Sequence, residues 1–171
     1  MNPPGSPSAF QPFHVAMMNE ALPAQHVLLV EDNTIDARLF AQALKITRPQ
    51  ATLTHVPDVL SATYYLRGIG FYADRNSYPL PYLVVIDLQL DSVNGMELLK
   101  WIKKEPAMCG LITLVLTASD DFSDASTAYS HGANSYLKKL HDRDSLVTSL
   151  TLLHAAWHEQ NLLPSAQQSQ L

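Results

Sequence analysis

Apolar residues in this chain arrive in short unbroken runs, each followed by a stretch in which they recur every three or four positions. HVLLV (His26–Val30), LVVID (Leu83–Asp87) and LITLVLT (Leu111–Thr117) are the runs. Runs of this length without a polar alternate predict strands buried on both faces. ATLTHV (Ala51–Val56) alternates, as a half-exposed strand does, and SYL (Ser135–Leu137) makes a fifth. Helical spacing fills the gaps. Asn33 or Thr34 caps the first helix, whose stripe reads Ile35, Leu39, Ala43 and Ile46 before Pro49. Pro57 and Asp58 open a second helix through Val59, Ala62 and Leu66. Gly68–Pro81 reads as loop. Gly95–Lys104 is helical, with Met96, Leu99 and Lys103 on one side and Leu98 and Ile102 on another. Phe122–Ser130 is a short helix, and the last runs from Asp144 to about Asn161 with Leu146, Leu150, Leu153 and Trp157 as its stripe.

Five strand-then-helix units with buried central strands predict an α/β architecture, a doubly wound parallel sheet covered on both faces. The flanks differ from this pattern. Five of the eleven prolines lie in residues 1–23, and the end reads PSAQQSQL from Pro164, so residues 1–24 and 161–171 are expected to be flexible tails around a domain at 25–160. Composition then removes several functions. A net charge of −5 with scattered Lys and Arg argues against a nucleic-acid surface or a polybasic membrane patch. No apolar run approaches the roughly 20 residues of a membrane helix. The first basic residue is Arg38, and a single Cys109 forms no internal disulfide, so a cytoplasmic location is expected.

In sheets of this kind, ligands sit beyond the carboxyl ends of the strands. Glu31 and Asp32 follow the first strand, Asp87 ends the third, Thr117 ends the fourth, and Lys138 and Lys139 follow the fifth. The second ends at Val56 and Pro57, which offer no reactive group. Alone, each has a bland explanation: an Asp at a strand end forms turns, and Glu31-Asp32 suits a helix start. Together they gather three carboxylates, a hydroxyl and an ammonium on one rim. Two carboxylates about 4 Å apart repel by roughly 4 kcal/mol at an effective dielectric of 20. A hard divalent cation with oxygen ligands relieves this, and Mg²⁺ commonly uses one or two carboxylates with water and phosphate oxygens. The hydroxyl and lysine complete a cradle for a phosphoryl group, with a carboxylate as nucleophile.

LLVEDN, VVIDLQLDSVNGMELL, VLTAS and HGANSYLKKL resemble the signature segments of the receiver domain of bacterial two-component response regulators, over about His26–His158. The resemblance implies a flavodoxin-like (βα)5 fold with strand order 2-1-3-4-5. It implies that Asp87 is the phosphoacceptor, that Asp32 binds Mg²⁺ directly and Glu31 through water, and that Gln89 lends its backbone carbonyl. Thr117 would hold the phosphoryl oxygen and turn inward on activation, Lys139 rather than Lys138 would be the phosphate-binding ammonium, and Tyr136 the aromatic switch. The stretch RGIGFYADRNSYPLPYLVVID and the end HAAWHEQNLLP are similar to those of single-domain regulators associated with bacterial phytochromes. That subgroup implies a sensor histidine kinase as partner, and a homodimer through the C-terminal region. Two positions depart from the family pattern. Leu140 stands where proline commonly follows the lysine, which leaves the lysine's aim open, and Asp91, expected to face solvent, stands where many receivers carry proline.

Other signals are weaker. GIGFYA (Gly68–Ala73) follows a helix rather than a strand, so it lacks the context of a dinucleotide fingerprint. His154 and His158 have no third ligand nearby and read as exposed helix residues, while Trp157 reads as core or interface. The leading reading is a phosphoryl-accepting regulator with self-phosphorylation and autodephosphorylation, not an enzyme acting on external substrates. A phosphatase or mutase working through an aspartyl phosphate usually has a second Asp two residues on, where this chain has Gln89. A receiver-fold scaffold that is never phosphorylated is the other rival, suggested by Leu140 and Asp91.

Overall fold

The computed structural model describes residues 25–91, 93–118 and 122–159, the side chains of Phe122, His158 and Glu159 excepted; both predicted tails lie outside these ranges. Five strands, β1 (His26–Val30), β2 (Thr52–Val56), β3 (Leu83–Asp87), β4 (Ile112–Thr117) and β5 (Ser135–Lys138), form one parallel sheet in the order β2-β1-β3-β4-β5. Helices α1 (Thr34–Thr47), α2 (Val59–Arg67), α3 (Gly95–Lys104), α4 (Phe122–Ser130) and α5 (Arg143–Glu159) connect and cover it. The flavodoxin-like order expected from the sequence is the order found.

The period of two along a strand divides the core. Val27, Leu29, Leu83, Val85, Leu114 and Leu116 point to one face, under α1 and α5. Leu28, Val30, Val84, Ile86 and Val115 point to the other, under α2, α3 and α4. Every residue of β1, β3 and β4 is buried, which is why these strands read as unbroken apolar runs.

Three local expectations are corrected. The buried face of α1 is Ala37, Phe40, Ala43 and Leu44, whereas Ile35 is 73% and Ile46 53% exposed. Of the predicted stripe, Ala43 is core and Leu39 is partly buried against it. Within the expected loop, Gly70–Ala73 forms a 3-10 turn. His154 is buried rather than exposed. Its ring stacks on Tyr82, with Nε2 3.3 Å from the Tyr82 hydroxyl, and lies edge-on to Trp157. Trp157 is core, donating from Nε1 to Ser135 Oγ at 3.0 Å.

The α2–β3 connection is ordered by its own polar contacts. Gly68 caps α2 with φ of 67°, and a Cβ there would lie 2.8 Å from the Arg75 guanidinium. That guanidinium donates to the carbonyls of Tyr65 (2.8 Å), Leu66 (2.6 Å) and Tyr78 (3.1 Å), closing the α2 end. Tyr65 packs at 5.1 Å from Tyr72 and 5.8 Å from His26, and donates its hydroxyl to the Pro79 carbonyl. His26 in turn contacts the hydroxyls of Thr52 (2.7 Å) and Thr54 (3.1 Å). This cluster lies at the amino ends of the strands, opposite the rim where the predicted chemistry gathers.

Candidate functional site

At the carboxyl rim, each predicted group is delivered by the end of a strand. β3 places Asp87 in the centre of the sheet, between β1 and β4, with 2% side-chain exposure. Asp87 Oδ1 accepts the Gln89 N–H at 3.0 Å, a turn that bends the chain away from the strand. Gly95 permits the return. A Cβ at Gly95 would lie 1.9 Å from the Asp87 carbonyl oxygen, so the first residue of α3 packs on the backbone of the site with no room for a side chain. Glu31, buried after β1, accepts the Asn33 N–H at 3.1 Å, while Asn33 caps α1 with its own side chain. Carboxylate oxygens of Glu31, Asp32 and Asp87 all lie within 4.8 Å of one another.

Lys139 crosses to this cluster from beyond β5. Its backbone N–H donates to the Thr117 carbonyl at 2.7 Å, fixing it beside the end of β4. Its Nζ lies 2.8 Å from Asp87 Oδ2, 2.8 Å from Glu31 Oε2 and 2.9 Å from Asp36 Oδ2. The peptide bonds among the described residues are all trans. With leucine after it, Lys139 still reaches Asp87, which answers the question raised by Leu140. Lys138 is exposed.

Asp36 is the residue that the sequence reading missed. It occupies the first turn of α1, where an acid is explained by the helix dipole alone, and its lysine lies 103 positions away. His55 is a lesser omission: it lies on the strand whose end offers no reactive group, and its Nε2 is 2.6 Å from the Glu31 backbone oxygen. Thr117 is fully buried at the end of β4. Tyr136, on β5, pairs in register with Val115 and is partly buried against the α2–α3–α4 side of the core. Gln89 is exposed, two residues past Asp87. Asp91 is exposed as expected, yet its backbone N–H donates to Asp32 Oδ2 at 2.7 Å.

Charge at this rim is unbalanced. Among the described residues, four carboxylates (Glu31, Asp32, Asp36 and Asp87) face one ammonium. Burial pushes the Glu31 carboxyl above its usual range; the hydrogen bond from Lys139 opposes this and the nearby Asp87 charge adds to it. For Lys139, burial alone would lower the ammonium's pKa. The hydrogen bonds to Asp87, Glu31 and Asp36 outweigh burial and hold it raised, so the ammonium stays charged at neutral pH. Carboxylate pairs at this spacing repel by roughly 3–4 kcal/mol each at an effective dielectric of 20, and one lysine does not neutralise them all. The donor set is all oxygen, three carboxylates converge, and the local charge is negative: these residues fit a hard divalent cation.

Residues 27–151 match the family described as Response regulator receiver domain. Response regulator Rcp1 of Synechocystis sp. is 33% identical over 150 residues, which span 88% of this chain and all of that protein. Among solved structures, the phosphorylated cyanobacterial phytochrome response regulator RcpA superposes with a TM-score of 0.73 at 30% identity, covering 83% of this chain and 99% of that one. The Mn²⁺-bound form of Rcp1 gives 0.70 at 31% identity, over 82% and 99%. Fold, rim and relatives agree: this chain belongs to the response regulator receiver domain family.

Proposed function

We propose that the chain accepts a phosphoryl group on Asp87 from a phosphohistidine of a sensor histidine kinase, and signals by protein contact or onward phosphotransfer. One observation carries the reading. A buried carboxylate in the middle of the sheet shares an ammonium with Glu31 and Asp36 and lies among carboxylates whose charge calls for a divalent ion. An oxygen of Asp87 attacks phosphorus, the P–N bond breaks, and the leaving imidazole keeps the electron pair and gains a proton. Asp32, Asp87, the Gln89 carbonyl and, through water, Glu31 would hold Mg²⁺, which would neutralise charge on the transferring group. Lys139 exchanges its carboxylate partners for phosphoryl oxygens, and the Thr117 hydroxyl turns in to donate to another. Tyr136 follows that inward movement as the switch. Water later attacks phosphorus, releasing phosphate and restoring Asp87.

Similarity to RcpA, a phytochrome response regulator, supports a phytochrome-type sensor, a bacteriophytochrome, as the kinase; a cytoplasmic site of action belongs to the same reading. A homodimer through the C-terminal region is part of the same reading, supported by Leu152, which stands 66% exposed on α5. Gln89, where a phosphatase of this chemistry would have its general acid, disfavours turnover of external substrates.

Intact-protein mass spectrometry after acetyl phosphate and Mg²⁺ tests the central claim. A base-labile adduct of one phosphoryl group is expected, absent with EDTA and absent in Asp87→Asn. If neither acetyl phosphate nor a cognate kinase gives an adduct on folded protein, the scaffold reading replaces this one.

A further inference from the structure

We propose that the backbone N–H of Asp91 is a positioning group for cation capture, holding the Asp32 carboxylate in the cluster before the ion arrives. The inference rests on the metal-binding reading above and concerns what this chain adds to it. Glu31 and Asp87 are buried and tied to Lys139, so neither moves easily from the rim. Asp32 is different. It is half-exposed, and the ion pairs of Lys139 among the described residues are with Glu31, Asp36 and Asp87. Repulsion from two carboxylates within 4.8 Å drives such a side chain toward water.

The Asp91 N–H opposes that drift. At 2.7 Å from Asp32 Oδ2 it makes a short bond to a charged acceptor, and it comes from a backbone 59 residues away rather than from the adjacent turn. The carboxylate is thereby held in place with lone pairs still left for a ligand. A group fixed before binding loses less freedom when the ion arrives. The position is telling. A proline at this position would have no N–H and could not make the bond. The exposed Asp91 carboxylate is assigned no part in it.

The test is Mn²⁺ binding by the full chain, read as free-ion EPR signal, for the wild type, Asp91→Ala and Asp91→Pro. Alanine removes the side chain and keeps the N–H; proline removes both. The expected result is affinity roughly tenfold weaker in the proline variant than in the alanine variant. Equal affinities, or tighter binding by the proline variant, overturn the proposal. A second readout does not depend on the proline variant folding. In the metal-free protein, the Asp91 amide proton resonance should lie downfield and move upfield in Asp32→Ala; a resonance that Asp32→Ala leaves in place also overturns it. A wild type that binds no Mn²⁺, or binds it as well in Asp32→Ala, instead sinks the metal reading itself.

Discussion

Both ends of the sheet concentrate polar groups, and they differ in how those groups are matched. At the amino end, the Arg75 guanidinium is shared among three backbone carbonyls, His26 lies between two threonine hydroxyls, and the Tyr65 hydroxyl has the Pro79 carbonyl. At the carboxyl end, one ammonium serves three carboxylates and a fourth hangs on a backbone N–H. The first arrangement is closed: one cation meets neutral carbonyl acceptors, no carboxylate is gathered beside it in these contacts, and the cluster holds a connection in place. The second is open, because its charge is complete only with something added. Unbalanced burial, rather than polarity, separates a site from a scaffold here.

Removing a cation from each end tests this contrast most sharply. Lys139→Ala should cost about 3–5 kcal/mol in metal-free urea denaturation, since it leaves buried carboxylates facing one another. Millimolar Mg²⁺ should return part of that loss. A loss that Mg²⁺ leaves untouched would mean that the carboxylates are held by something other than charge balance. Arg75→Leu should cost about 2–3 kcal/mol, from carbonyls left without donors at the α2 end. Mg²⁺ should not rescue it, and the yield of Asp87 adduct from acetyl phosphate should stay near wild type. Impaired phosphorylation in that variant would show that the two ends are coupled.

The smallest effect is a slope in pH. Glu31 has a raised folded-state pKa, so the folded protein binds its proton more tightly than the unfolded chain does. Its contribution therefore weakens stability as pH rises from about 4.5 through the folded value. His26 works oppositely. Burial lowers its pKa, so stability is lost as pH falls from about 6.5 toward the folded value. In EDTA, Glu31→Gln should lose the first slope and keep the second, visible as a steeper gain in urea midpoint between pH 4.5 and 6.5. Parallel wild-type and variant profiles would remove Glu31 from the account.

β1, β3 and β4 were legible because burial on both faces leaves little room for polar residues, and their carboxyl ends could be located from the runs alone. The face of α1 was not. Ile35, Ala37, Leu39, Phe40, Ala43, Leu44 and Ile46 offer two stripes at helical spacing, and only the position of the sheet selects the one through Phe40. The 3-10 turn was hidden for a related reason, since its order comes from Arg75 and from aromatic rings brought together in space rather than from periodicity. At the site, Glu31, Asp32 and Asp87 were legible as strand-end residues, and Lys139 as one of two adjacent lysines there, between which spacing does not choose and the family resemblance does. Asp36 was not, because an acid in a first helical turn has a sufficient local cause and its partner lies far along the chain.

The shared ammonium also matters at the bench. Acylating and alkylating reagents attack an amine only in its neutral form, and Lys139 is both shielded and held protonated by its partners. Among the six lysines, Lys45, Lys104 and Lys138 are exposed. Amine-directed dyes or surface tethers added in limiting amounts at neutral pH will thus decorate the periphery first, and a conjugated sample will keep its buried Lys139 unmodified.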